Sequence, residues 1–188
     1  MSRVLFLRHG ESVHNAHTGS EQLADAEGDR LTERGRKQAR AAGPGLVGHG
    51  VTRIFTSPMR RATETARAVG AALDLQAETL PYVQELQEGE SFAELVARVR
   101  RLKAELESIA PLERPLLVGH GIFFRFFLLD SVLGDAFEAP MARGIWNLGS
   151  HNCGLSVFAR GESRDPAGAE VPGWTCLSWM RRPWDPPR

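Results

Sequence analysis

The sequence predicts an α/β fold built on a mostly parallel sheet, and three features carry that expectation. Short runs that are apolar at every residue recur at Val4-Leu5-Phe6-Leu7, Ile54-Phe55-Thr56 and Leu116-Leu117-Val118. Each run stops abruptly at polar residues, namely Arg8-His9-Gly10, Ser57-Pro58 and Gly119-His120-Gly121. Amphipathic or wholly apolar helical patterns fill the intervals. Runs without polar alternation suit strands covered on both faces, which is what helical crossovers in a parallel sheet provide.

Taken in order, the first run is a strand over Val4–Leu7. Thr32 is placed to cap a helix running toward Leu46, and Gly43-Pro44-Gly45 is expected to break it. It is no phosphate loop, since no Gly-Lys-Ser/Thr follows. After the second strand, Ser57 reads as an N-cap with Pro58 at the first helical position, where a missing N–H costs nothing. Ser91 and Glu94 make an S-x-x-E capping box. Behind it Leu95, Val99, Leu102, Leu106 and Ile109 repeat at spacings of four and three, one face of a helix ending before Pro111. Ile122–Leu133 is apolar nearly all round, so it and its run Phe123-Phe124-Arg125-Phe126-Phe127 read as a buried core helix. Gly154–Phe158 is a further candidate strand. The stretch from Arg160 to Arg188, with Trp174, Trp179, Trp184 and several prolines, reads as strand plus irregular tail. In that tail Arg181-Arg182-Pro183-Trp184 is a surface segment that could lean on a substrate mouth.

With 188 residues the chain fits one domain, expected over 1–188 with a partly irregular tail from about 160. Such a length supports a core without metal or disulfide staples. Hydrophobic residues at 42% and charged residues at 24% argue against disorder. Basic and acidic residues number 23 each, which removes the general case for nucleic-acid or anionic-membrane partners. Cys153 and Cys176 make neither a disulfide framework nor a zinc site. His14 and His17, three apart, have no ligand cluster around them and read as a solvated loop. The four-residue apolar run at the N-terminus is too short for a signal peptide, and no stretch reaches the roughly 20 apolar residues of a membrane span. A cytoplasmic protein is expected.

In open α/β sheets, ligands bind beyond the carboxyl ends of the strands. Those ends deliver Arg8, His9 and Gly10 from the first run, Ser57, Arg60 and Arg61 from the second, and His120 and Gly121 from the third. Two imidazoles, at least two guanidiniums and a helix start would converge there. Guanidiniums and free N–H groups suit a phosphate, and histidine is a usable nucleophile near neutral pH. Phosphoryl transfer through a histidine follows from the residues alone.

The same residues carry a resemblance. Leu7-Arg8-His9-Gly10-Glu11 with Asn15 is similar to the RHG signature of the histidine phosphatase (phosphoglycerate mutase-like) superfamily. Leu31-Thr32-Glu33-Arg34-Gly35 with Gln38-Ala39, Ser57-Pro58-Met59-Arg60-Arg61-Ala62 with Thr65-Ala66, and Val118-Gly119-His120-Gly121 resemble its further blocks in the expected order. The matched blocks run from Val4 to about Leu133. The resemblance implies a three-layer α/β/α sandwich and a metal-free, cofactor-free phosphatase acting on small phosphomonoesters. His9 would be the nucleophile that becomes a phosphohistidine. Arg8 and Arg61 would clamp the phosphoryl oxygens, with Arg61 favoured over Arg60 because it directly precedes Ala62. His120, Gly121 and Asn15 would add contacts, a turn or cap residue being the lesser alternative for Asn15.

The family's proton donor is a Glu in an L-x-E context, and here two residues compete. Glu88 follows Leu86 with the family's spacing, while Glu85 sits at the end of the strand expected before it; both stay open. One departure is informative. Phosphoglycerate mutases proper carry a long insertion between this acid and the Ser-capped helix, whereas here only Gly89 and Glu90 separate Glu88 from Ser91. Without that roof, water should reach a phosphohistidine. A phosphatase is therefore expected first, a bisphosphoglycerate-dependent mutase second and a non-catalytic phosphate-binding relative third.

Overall fold

The computed structural model describes residues 3–17, 25–161, 163–171 and 173–184. Strand β1 (Arg3–Arg8) leads through two short helices, α1 (Val13–Ala16) and α2 (Asp25–Gly28), to the long helix α3 (Glu33–Leu46). Then follow β2 (Arg53–Thr56), α4 (Arg60–Leu73), β3 (Ala77–Thr79), α5 (Phe92–Ser108), β4 (Pro115–Gly119) and α6 (Gly121–Leu133). Two 3₁₀ segments, Gly134–Ala136 and Ala139–Asn147, precede β5 (Leu155–Arg160) and β6 (Trp174–Arg181). The strands form one sheet in the order β3-β2-β4-β1-β5-β6. The first four are mutually parallel, and β5 and β6 add antiparallel pairs at one edge. The expected α/β class with a mostly parallel sheet is what the chain adopts.

Alternation along the central strands explains why they are apolar throughout. Val4 and Phe6 of β1 join the core under α5 and α6, whereas Leu5 and Leu7 join the core under α3 and α4. The first core is aromatic. Phe6 stacks on Phe124 with ring centroids 4.9 Å apart and meets Phe127 edge-on at 4.6 Å, so the phenylalanines of α6 are core, as expected. The second core joins the leucines and valines of the sheet to small helix residues, Ala39, Ala42, Ala62 and Ala66, which let α3 and α4 lie close together and close to the sheet.

Two helix boundaries differ from expectation. Gly43-Pro44-Gly45 does not break α3, which continues to Leu46. Pro44 lies in the last turn, where losing one N–H is tolerable. A Cβ on Gly43 would come 2.5 Å from Cβ of Ala72, so this glycine serves helix contact and not chain reversal. Nor do Ser57 and Pro58 open α4, whose first residue is Arg60 after the cap position Met59. The Ser57 hydroxyl is instead engaged with His120 and the Met59 N–H. Thr32 and the Ser91/Glu94 box cap α3 and α5 as expected. The irregular tail includes β6, and its residues 185–188 lie outside the described residues.

Candidate active site

The strand ends are laced together one residue beyond the sheet. The His9 N–H donates to the Gly119 carbonyl at 2.9 Å and the Ser57 N–H to the Val118 carbonyl at 3.0 Å, which sets His9, Ser57 and His120 side by side. The two imidazoles are 2% and 0% exposed, with centroids 5.3 Å apart. Two backbone approaches hold the first loop down. A Cβ on Gly10 would meet the Gly35 carbonyl oxygen at 2.5 Å, and one on Gly35 would meet the Glu11 oxygen at 2.0 Å. The glycines of the first and second motifs are therefore two sides of one close contact. Thr65 supports the loop by accepting from the Gly10 N–H at 3.0 Å, and Gln38 Oε1 accepts from the Glu11 N–H at 2.9 Å.

His9 is held by its Nδ1, 2.7 Å from the Gly10 carbonyl oxygen. A carbonyl only accepts, so Nδ1 carries the proton and Nε2 keeps its lone pair. Burial first, then the nearby Arg8 and Arg61 charges, holds this imidazole well below the usual histidine range, against a smaller opposing pull from the Gly10 carbonyl. It is a neutral ring with one nitrogen open to electrophiles.

Arg61, 9% exposed, donates from Nε to His9 Nε2 at 3.2 Å, and its Nη1 pairs with Asp29 Oδ1. The other Asp29 oxygen accepts the Arg60 N–H at 2.6 Å, so one carboxylate orients the start of α4 and the Arg61 fork together. Arg60 itself is exposed and pairs with Glu64 at 2.6 Å. Arg8 donates from Nη1 to the Ser150 carbonyl at 2.8 Å. Arg125 donates to the Leu148 carbonyl at 2.9 and 2.6 Å and to Ser150 Oγ at 3.2 Å, fixing the loop on which Arg8 rests. A Cβ on Gly121 would lie 3.4 Å from Arg8 Nε, so a side chain there would crowd the guanidinium.

His120 places Nε2 2.7 Å from Ser57 Oγ. Burial, then the His9 partner and the Arg61 and Arg8 charges, also pushes this ring well below the usual histidine range. Its Nδ1 and the Nε of Arg8 are two of the four side-chain polar atoms among the described residues that are buried without a hydrogen-bond partner. Native proteins pair nearly all such groups, and an unpaired one marks a ligand position or another special role. An oxyanion would satisfy both.

Of the two carboxylates, Glu85 is the one brought to this site. It is half-buried, its oxygens accept the Ile122 and Phe123 N–H groups at 3.3 and 3.2 Å at the start of α6, and its charge supports those of Arg8 and Arg125. Glu88 is exposed in the turn before Ser91. Asn15 does serve as a cap, in a reciprocal box with Ser12. Its Oδ1 also accepts from Asn152 at 3.1 Å, which leaves the Nδ2 donors as the end a phosphate could use. His14 and His17 belong to no cluster that could hold a metal ion among the described residues. Arg182 and Trp184 line a cavity of about 330 Å³ with Ser150, His151 and Asn152. A larger one, about 700 Å³, lies between α4 and β3 and touches neither histidine.

Residue-by-residue reading missed Asp29, Ser150, Asn152 and the anchoring role of Arg125. Only Arg125 left a signal, as a charge inside an otherwise apolar helix.

The family model described as histidine phosphatase superfamily (branch 1) matches residues 4–89. The probable phosphoglycerate mutase GpmB of Yersinia enterocolitica is 31% identical over 192 residues, covering 83% of this chain and 84% of that protein. The chain belongs to the histidine phosphatase superfamily. Its fold is shared with a mutant phosphoserine phosphatase from Entamoeba histolytica solved in complex with phosphoserine, at a TM-score of 0.74 and 16% identity, covering 96% of this chain and 97% of that one. A putative α-ribazole-5′-P phosphatase from Escherichia coli gives 0.73 and 20%, covering 97% and 98%. A mycobacterial glucosyl-3-phosphoglycerate phosphatase in complex with VO3 gives 0.70 and 20%, covering 96% and 100%. Among the described residues no helix is long and apolar enough to cross a membrane.

Proposed function

We propose that this superfamily member is a phosphatase that hydrolyses small phosphomonoesters through a phosphohistidine on His9. The observation that carries the proposal is the fixed tautomer of His9, a neutral ring whose Nε2 lone pair stands against the Arg61 guanidinium. An entering phosphoryl group would take the Arg61 N–H onto its own oxygen and leave the lone pair to attack phosphorus. Arg8 and Arg61 would neutralise the equatorial oxygens, with His120 and Asn15 as further donors and Gly121 giving the anion room. No metal is needed for that, since positioning and charge neutralisation are most of what phosphoryl transfer asks of a protein. The P–O bond to the substrate oxygen breaks as the N–P bond forms. A carboxylic acid protonates the departing oxygen, and the resulting carboxylate then takes a proton from the water that cleaves N–P. Proximity supports Glu85 for that duty over Glu88.

The name of the Yersinia relative favours a second reading, phosphoglycerate mutase. Against it stands the short path from Glu85 to the α5 cap at Ser91, which leaves little chain to exclude water from the intermediate. Incubation with p-nitrophenyl phosphate, and with 3-phosphoglycerate with and without 2,3-bisphosphoglycerate, separates hydrolysis from isomerisation. Phosphate release without bisphosphate is expected; bisphosphate-dependent conversion to 2-phosphoglycerate would establish the mutase. Phosphate binding with no turnover across a panel of phosphoesters would leave a non-catalytic module. Glu85→Gln should cut kcat about 10²-fold on substrates with poor leaving groups and less on p-nitrophenyl phosphate, while Glu88→Gln stays near wild type. The reverse result would return the role to Glu88.

A further inference from the structure

Ser57 lies in a motif shared with the family, yet no step above uses its hydroxyl. It is completely buried, and its Oγ has two neighbours: the Met59 N–H, which donates to it at 3.3 Å, and His120 Nε2 at 2.7 Å. A serine hydroxyl has one proton to give and two lone pairs. With one lone pair taken by Met59, two arrangements remain. If Nε2–H donated to Ser57, the serine proton would have no acceptor among the described contacts, and the buried Nδ1 of His120 would be a bare lone pair. If Ser57 donates to Nε2, the serine proton is used and Nδ1 becomes an N–H whose acceptor must come from a ligand.

The two arrangements differ in chemical consequence. Phosphoryl oxygens only accept, so a bare Nδ1 lone pair would repel the group that Arg8 and Arg61 attract. An Nδ1–H would instead add a donor at a buried position, 5.3 Å between ring centroids from His9. We infer that Ser57 is a positioning residue whose O–H donates to Nε2 of His120 and so holds the second histidine as its Nδ1–H tautomer, ready to donate to the phosphoryl group. No charge change is required, which agrees with a ring kept neutral by burial and neighbouring cations. The choice of tautomer rests on the phosphatase reading, because the phosphoryl acceptor at Nδ1 decides it.

Long-range ¹⁵N–¹H spectra of the ¹⁵N-labelled protein, with His120 assigned by comparison with His120→Asn, read the tautomer without any turnover. The wild type should show a protonated Nδ1 and an unprotonated Nε2. Ser57→Ala should give a mixture of tautomers and a fall in kcat/KM of at least about tenfold, less than the 10²–10³ expected for removing a donor outright. Ser57→Thr, which keeps the hydroxyl, should restore both. An Nε2–H signature in the wild type, or an unchanged Nδ1–H signature in folded Ser57→Ala, overturns the inference. Should the alanine variant not fold, the wild-type and threonine spectra still decide it. A protein with the expected tautomer but no phosphoenzyme would refute the phosphatase reading instead.

Discussion

The β1 and β4 ends place a buried histidine in the same setting, one residue past a parallel strand and beside the other, yet they tether opposite nitrogens. At the β1 end a backbone carbonyl holds Nδ1 of His9, and because a carbonyl cannot donate, the tautomer is decided by that bond alone. At the β4 end a hydroxyl holds Nε2 of His120, and a hydroxyl can act either way, so the decision passes to the acceptor that a ligand brings to the free Nδ1. The first arrangement frees a lone pair and the second frees an N–H. Two rings with the same composition, burial and direction of pKa shift thereby become complementary partners for one anion. The tether, more than the ring, sets the duty of each histidine.

The largest expected effect breaks that comparison most directly. His9→Ala should abolish turnover and acid-labile phosphoenzyme labelling, whereas His120→Ala should slow turnover by about 10²–10³ and still allow labelling. Equal and complete loss of labelling in both variants would mean that the rings share one role. A second measurement asks about what they have in common. Both have folded-state pKa values well below the 6.5 of an unfolded histidine. Between those values and 6.5 the unfolded chain binds more protons than the folded one, so stability falls as pH falls through that window. The slope should reach up to about 1.4 kcal/mol per pH unit for each ring. Denaturant titrations at pH 7 and 5 should show it, and a His9→Gln or His120→Gln variant should show a shallower slope. The same shifts place the acid limb of kcat/KM below pH 6.5, because the free base is the reactive form. A limb at or above 6.5 would mean that the rings are solvated.

How much of this the sequence could reveal depended on distance along the chain. Arg8, His9 and His120 were legible because each sits at the end of an apolar run, Arg61 because it lies in the first turn of the helix that follows one, and strand ends in a parallel sheet converge. The capping box at Ser91 and the buried phenylalanine helix were legible from local periodicity. The start of α4 was not, because Ser57 has the side chain of an N-cap but spends it on His120, a partner 63 residues away. Gly43-Pro44-Gly45 misled for a related reason: the space a side chain at Gly43 would need is taken by Ala72 on another helix, which local sequence does not reveal. Ser150 and Asn152 were invisible since they lie in a loop with no periodicity, tied to Arg8 and Asn15 by contacts spanning 142 and 137 residues. Glu85 and Glu88 could not be separated because their exposures differ only in three dimensions.

The smallest expected effect concerns Asp29, which belongs to the His9 end alone. Its carboxylate pairs with Arg61 and accepts the Arg60 N–H, so it orients the guanidinium without touching His9. Asp29→Asn keeps the shape and one acceptor oxygen but removes the charge, and the side-chain amide can no longer accept from both partners. The Arg61 fork should then sample orientations in which Nε leaves His9, which weakens the clamp without deleting it. A loss of about tenfold in kcat/KM is expected, well short of the 10²–10³ cost of removing a donor. The effect should be absent from the His120 tautomer, since Asp29 has no bond to Ser57 or His120 among the described contacts. A change in the His120 ring spectrum on Asp29→Asn would show the two ends to be one coupled unit, and the division of labour between them would have to be redrawn.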